Sequence, residues 1–346
     1  MRQRFVPDRS INAGRRYSGL MPSVHPKLDP REEHFEIPGP RQGLTLFLRR
    51  LASTRGDPRR AVLYVHGATF PSGLSVAHRF SGRSWRDALC AAGFDVWGFD
   101  FYGFGCSDRY PEMSEEPDQH PPLGIAAEAA EQLSAVVRFI LAHLNLDRVS
   151  LISHSWGSMP AGRFASAHPT MLDRWVLFAP IARRAPRRYE QPPSFPAWRL
   201  VSLEEQFARF TEDVPAHEPA VLAKAEFDAW GEGYLDSDPE SRTRNPPSVK
   251  IPLGPFSEII RAWHGVLPYD PAAVRCPIAL IRGEWDGLIP DADARSLFDA
   301  FSRSPDKRDI KLGRGTHLMH LEAMRGALWR ESIGFLLADD TESPQP

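Results

Sequence analysis

Residues 151–158 read Leu-Ile-Ser-His-Ser-Trp-Gly-Ser, and the role given to Ser155 in this stretch decides the fold. The preceding residues Arg148-Val149-Ser150-Leu151-Ile152 form an apolar strand pattern, and a helical pattern follows to about Ala167. A serine on a tight turn between a buried strand and a helix sits on strained backbone and needs small neighbours. Ser153 and Gly157 occupy the two positions where bulk would clash, although the commoner pattern has glycine at the first of them. Taken alone, the same residues also describe a serine that caps the next helix. Ser155 is a nucleophile only if the chain also supplies a base, an orienting acid and an oxyanion site.

Three other strand ends supply candidates. The run Ala61–Val65 leads into His66-Gly67, a turn that would let the Ala68 N–H point at an oxyanion on Ser155. The Trp156 N–H, at the start of the next helix, is the second expected donor. His66 reads as a turn residue rather than a base, and His154 likewise, because adjacent side chains on such a turn point apart. Downstream, Ile-Arg-Gly-Glu-Trp-Asp-Gly (281–287) places Asp286 just past an apolar strand on a glycine-rich turn. A carboxylate there can hold a histidine tautomer; Glu284 is the nearby rival. No acid follows the strand Arg174–Pro180. Finally, Gly-Thr-His-Leu-Met-His-Leu-Glu (315–322) offers His317 on a loop with the reach of a general base. The competitor His320 lies one helical turn on and is expected to pack against helices or Glu322.

Strand and helix patterns alternate from about residue 33 to Pro180 and again from Pro277, which implies parallel strands with helices on both faces, an α/β fold. Between these stretches the chain is rich in Pro, Arg and Trp, with helical pieces and no strand alternation. The expected organisation is therefore an N-terminal arm (1–32), a core from 33–182 and 268–340, and a helical cap inserted after the sixth strand (183–267). In the insertion most large aromatics serve packing; among Trp198, Trp230, Tyr234 and Trp263, one or two are expected to line an apolar acyl or alcohol pocket. Arg183, Arg184, Arg187 and Arg188 read as a solvated basic face, with an acidic-substrate handle as the sharper alternative. The tail 339–346 reads as disordered.

The order Ser, Asp, His, each at a strand end, matches the triad order of the α/β-hydrolases. On the motifs VHG, FDFYGFGCSDR, SHSWGS, GEWDGLIP and GTHLMHLE, the chain resembles the α/β-hydrolase superfamily in its capped branch, from about Arg41 to Leu337. The resemblance implies a serine hydrolase: Ser155 attacks a carbonyl, His317 takes its proton, Asp286 orients the imidazole, and the Ala68 and Trp156 amides hold the oxyanion. Dehalogenases and epoxide hydrolases of this fold carry aspartate where Ser155 stands, so the expected substrates are small carboxylic esters or lactones. An amidase or peptidase, an acyl transferase or cyclase, and a non-catalytic ligand-binding protein use the same scaffold and remain as alternatives.

Bulk properties narrow the other classes. With 346 residues, 25% of them charged, and a net charge of −2, the chain shows no signature of a nucleic-acid partner. No apolar window is long enough for a membrane span, and the N-terminal Arg-Arg pair lacks the apolar region of a signal peptide. Three widely spaced cysteines fit neither a disulfide framework nor a metal cluster and suit a reducing, cytoplasmic setting. Gly103 and Gly105 lack the third glycine of a dinucleotide loop, and Cys106 has no histidine beside it. The expectation is a protein without cofactor or metal, acting on a small molecule; a homo-oligomer is compatible with these numbers.

Overall fold

The computed structural model describes residues 15–16, 28–53, 60–185 and 193–338. The chain enters through strands β1 (Arg15–Arg16), β2 (Glu33–Pro38) and β3 (Thr45–Leu51). It then alternates β4 (Ala61–Val65), α1 (Trp85–Ala91), β5 (Asp95–Phe99), α2 (Ala126–Leu144), β6 (Val149–His154), α3 (Ser158–Ala167) and β7 (Leu172–Phe178). An insertion follows, made of β8 (Trp198–Ser202), α4 (Leu203–Thr211), α5 (Lys224–Asp236), β9 (Ser248–Pro252) and α6 (Gly254–Trp263). The chain returns with β10 (Ile278–Gly283), α7 (Asp291–Ala300), β11 (Lys307–Leu312) and α8 (Arg325–Leu337).

Among the described residues the main sheet runs β1-β2-β3-β5-β4-β6-β7-β10-β11. The first three strands are antiparallel to their neighbours, and from β5 to β11 every pairing is parallel. The sequence reason is visible in β4. Every residue of Ala-Val-Leu-Tyr-Val is buried; Ala61, Leu63 and Val65 join one core, while Val62 and Tyr64 join the other. A strand covered on both faces reads as a continuous apolar run although its side chains alternate. One face is filled from α2, α3 and α7 by residues such as Leu133, Phe164 and Leu297. Trp85 and Leu89 of α1 and Leu328 and Phe335 of α8 fill the other. Each such side chain contributes about 1.5–3 kcal/mol by burial.

Several expectations change. The insertion is not purely helical: β8 and β9 pair antiparallel, with Trp198 opposite Pro252 and Ser202 opposite Ser248. Each strand is five residues long and its partner lies on the far side of α4 and α5, so no hairpin turn announces the pair. The last helix starts at Arg325, because residues 316–322 before it are held in a separate turn. Within the expected N-terminal arm, Arg15–Arg16 pairs with β2; the rest of 1–27, Arg187, Arg188 and the tail 339–346 lie outside the described residues.

Candidate active site

Parallel strands end on a common edge, and the candidate residues follow four of those ends. Register aligns Val65 of β4 with Ser153 of β6, and Gly283 of β10 with Leu312 of β11. Ser155 comes first after β6 and adopts φ 54°, the left-handed region that an ordinary side chain enters at a cost of about 1–3 kcal/mol. The turn is over-determined around it. A Cβ on Gly157 would stand 2.4 Å from the His66 carbonyl oxygen and 2.8 Å from that of Val65, so no larger residue fits. Ser153, where glycine is commoner, accepts a 2.8 Å hydrogen bond from the Trp175 indole on β7, a tie that glycine could not make.

The acid and histidine turns meet each other through backbone. Gly283 packs so closely on Gly315 that a Cβ would sit 2.1 Å from its oxygen, and the Trp285 N–H donates to the same oxygen at 2.9 Å. Glu284 accepts the Arg314 N–H at 3.1 Å and so serves the turn. Asp286 points inward: the His317 Nδ1–H donates to its two oxygens, both at 3.0 Å. One of those oxygens also accepts the Leu288 N–H at 3.0 Å. On the other side of the ring, the Ser155 hydroxyl donates to His317 Nε2 at 2.7 Å. All three residues are at most 6% exposed. Ser155, His317 and Asp286 are thus brought together in the order of nucleophile, base and orienting acid.

The flanks of His317 are held by a residue that sequence reasoning had placed elsewhere. Glu322 does not pair with His320; it accepts the Thr316 N–H at 3.1 Å and also bonds the Thr316 hydroxyl. Burial pushes the Glu322 carboxyl up to about 7, partly offset by these bonds. His320 instead packs among Phe70, His154 and Phe178, and burial, with the nearby His317 and His78, lowers its pKa to about 3. His154 stacks on Phe178 and donates from Nε2 to the His317 carbonyl oxygen at 3.0 Å. Burial, with His320 and His317 nearby, holds its pKa well below the usual histidine value. Both nitrogens of His66 are occupied: Nδ1 donates to the Gly67 oxygen at 2.8 Å, and Nε2 accepts the Phe101 N–H at 3.0 Å. These three imidazoles are structural.

Ala68 lines the space beside Ser155, and its N–H donates to no backbone acceptor among the described residues. Trp156 lies in the first 3-10 turn after Ser155 (Ser155–Gly157), where leading amides lack intrahelical partners. The Trp156 ring has a role that the sequence did not disclose. Its Nε1–H donates at 3.1 Å to Glu258 of α6, whose same oxygen accepts the Ala126 N–H of α2 at 2.6 Å. One buried carboxylate therefore ties the serine turn, the insertion and the start of α2 together.

A cavity of about 50 Å³ opens on Ser155 and His317. Gly67 to Phe70 line it from the loop after β4, Leu288 and Leu318 from the acid and histidine turns, and Arg209, Phe256 and Ile259 from the insertion. None of the four aromatics from which one or two were expected there is among its lining residues. Trp230 and Tyr234 are fully buried and stacked on each other at 5.2 Å, with the Trp230 indole donating to the Leu74 oxygen. Trp198 donates to the Glu115 oxygen and carries Lys250 over its ring, and Trp263 lies under Arg184. They pack the insertion onto the core because their large apolar surfaces are worth more there. Arg184 pairs with Asp293 at 2.7 Å. Nothing in the pattern of α4 singled out Arg209.

The fold and the strand-end constellation define the class. The sequence profile of the alpha/beta hydrolase fold family matches residues 60–323, and the chain belongs to that family. Over 228 residues it is 32% identical to a haloalkane dehalogenase of Mycolicibacterium paratuberculosis, a match spanning 61% of this chain and 65% of that relative's length. Among solved structures, it resembles a serine hydrolase from the polyaromatic-hydrocarbon-degrading bacterium Cycloclasticus zankles, with TM-score 0.59 and 17% identity over 89% of this chain and 100% of that one. It also resembles an epoxide hydrolase from Vigna radiata, with TM-score 0.56 and 13% identity over 88% and 98% of the two chains. At these identities the two structures speak to the fold. No helix among the described residues is long and apolar enough to cross a membrane.

Proposed function

We propose that the protein is a serine hydrolase that cleaves a small-molecule carboxylic ester or lactone through an acyl-enzyme, with residues 183–267 as a cap over the site. The observation that carries this reading is the continuous hydrogen-bond relay from Ser155 through His317 to Asp286, at 2.7 and 3.0 Å. His317 Nε2 takes the Ser155 proton as Oγ attacks the carbonyl carbon, and Asp286 stabilises the imidazolium. The Ala68 and Trp156 amides receive the developing oxyanion. His317 then protonates the leaving alkoxide and activates the water that releases the acid.

The dehalogenase relative raises a second chemistry, and Ser155 argues against it here. A serine that displaced halide would become an alkyl ether, which water activated by His317 does not cleave, whereas an acyl-serine ester is open to that attack. The three cysteines, Cys90, Cys106 and Cys276, are widely spaced in the chain, which fits a reducing, cytoplasmic setting. The test is covalent labelling by a fluorophosphonate together with a panel of short-chain esters. Wild-type protein should label and turn over esters, and Ser155→Ala should lose labelling and about 10⁴–10⁶ in turnover while its melting temperature holds. A folded wild-type protein that does not label would end the enzyme reading. Labelling without ester turnover would move the assignment to amide cleavage, acyl transfer or ligand binding.

A further inference from the structure

We propose that Glu322 is a positioning residue for the base: through Thr316 it holds the turn that presents His317 to Ser155, a role that rests on the serine-hydrolase reading above. His317 stands between β11 and α8, outside any helix or strand, so regular secondary structure does not fix its side chain. Glu322 closes the turn around it. One carboxyl oxygen accepts the Thr316 N–H at 3.1 Å, and the other bonds the Thr316 hydroxyl. That hydroxyl oxygen in turn accepts the Leu318 N–H at 3.1 Å. The carboxyl therefore holds Thr316 directly and, through one hydroxyl, the peptide that follows His317. The carbonyl of the same peptide is held from the opposite side by His154.

A carboxyl is a costly choice for this place. Glu322 is fully buried, and its neighbours on the turn, Leu318, Met319 and Leu321, are buried and apolar. Burial, with Asp286 and Asp213 nearby, works against its ionised form. A leucine would fill similar space without that penalty, since buried charge is often less stabilising than apolar packing. Among the described residues the Glu322 side chain bonds Thr316 alone, so what it returns is spent on the base-bearing turn. The relay needs such a grip, because a misplacement of about 1 Å can cost about 10²-fold in rate. Two directional bonds fix the turn, whereas an apolar side chain would let it shift. Neither Glu322 nor Thr316 is among the residues that line the cavity, so changing them leaves the substrate contacts in place.

The experiment measures kcat and KM on a short-chain ester, the fluorophosphonate labelling rate, the melting temperature, and the downfield NMR resonance of the His317 Nδ1 proton that bonds Asp286. Glu322→Leu and Thr316→Val should each lower kcat and labelling by about 10- to 10²-fold, hold KM within about threefold, and shift or broaden that resonance. Glu322→Gln can accept the Thr316 N–H and donate to its hydroxyl oxygen, so it should recover most of the loss, as should Thr316→Ser. The double variant Glu322→Leu/Thr316→Val should be about as slow as the slower single one, because both break one grip. Ser332→Ala removes the buried bond from the Trp85 indole between α1 and α8; it should lower the melting temperature while rate and resonance hold. Glu322→Leu within threefold of wild type in kcat would overturn the proposal. So would Glu322→Gln as slow as Glu322→Leu, a loss that falls on KM instead of kcat, or an unmoved resonance in a slowed variant. If Glu322→Leu does not fold, Thr316→Val against Thr316→Ser carries the same comparison. If the wild type does not label, the serine-hydrolase reading fails first; if it labels and the variants keep its rate, this inference alone fails.

Discussion

At the carboxyl edge of the sheet the turns that carry the triad are fixed by close backbone contacts, whereas the insertion facing it meets the core through a few backbone bonds, at Ala197, Val221 and Gly254, and through many side chains. The serine turn is pinned by Gly157 against the end of β4, and the acid and histidine turns by Gly283 against Gly315. The insertion is joined to the core through backbone bonds of Ala197 to Pro117 and Leu123, of Gly254 to Leu123 and of Val221 to Ala323, and through the Glu258 carboxylate, the Trp230 indole and apolar packing; it leaves Arg209 Nη2 and Asp213 Oδ2 buried without hydrogen bonds. Chemistry at Ser155 needs atoms placed to a few tenths of an ångström, which close backbone contacts supply. Choice of substrate needs a surface that can differ without disturbing that placement, and an insertion that carries none of Ser155, Asp286 and His317 provides one. The dehalogenase and epoxide hydrolase among the relatives show the same scaffold under other names.

If the contrast holds, damage should be greatest at the edge. Asp286→Asn keeps the shape of the acid but favours the wrong His317 tautomer; kcat on esters should fall by about 10⁴ with the melting temperature nearly unchanged. A fall of less than tenfold would remove Asp286 from the relay. Gly157→Ala should act on fold and activity together. Its Cβ meets backbone oxygens at 2.4 and 2.8 Å, and a forced shift of this kind costs about 1–3 kcal/mol, measurable by urea unfolding alongside the labelling rate. Normal stability in this variant would mean that the edge is softer than its contacts imply.

The third test concerns pH. Burial raises the Glu322 carboxyl from 4.5 to about 7, so the folded state binds a proton that the unfolded chain has already released. The stabilising contribution is complete below about 4.5 and is lost as pH rises through about 7, worth at most about 3 kcal/mol. Wild-type unfolding free energy should therefore decline across that window relative to Glu322→Gln; parallel curves would contradict the assignment. The smallest effect is expected from the insertion's remote aromatics. Trp198→Ala and Trp263→Ala should change kcat/KM by less than about threefold once the proteins are folded, whereas Phe256→Ala, on the cavity wall, should shift the preference among ester chain lengths. Larger effects from the two tryptophans would place them nearer the substrate than the packing does.

How much of this was legible in the linear chain follows the same division. Ser155, Asp286 and His317 could be read because each follows an apolar strand and carries its own small or glycine neighbours, a local pattern with a local cause. The aromatics of the insertion misled because size and apolarity describe a packing residue and a pocket residue alike. Glu322, one of two partners offered for His320, binds Thr316 instead. Its bond to Thr316 closes a turn of the chain, and the local pattern around His320 gave no hint of it. The β8–β9 ribbon was missed because its two halves are short and separated by α4 and α5, leaving no periodicity to detect.

The alternation of buried strands and amphipathic helices, the order of the strand-end residues and the glycines that permit their turns are all written in the chain, since each depends on neighbours a few residues away. Folding alone decided that the Ser155 hydroxyl lies 2.7 Å from His317 across 162 positions. It also decided that Glu258 ties the serine turn to the insertion, and that Arg209 rather than a tryptophan lines the cavity. Those outcomes depend on which faces of distant elements meet, and that is set by the packing of the whole core.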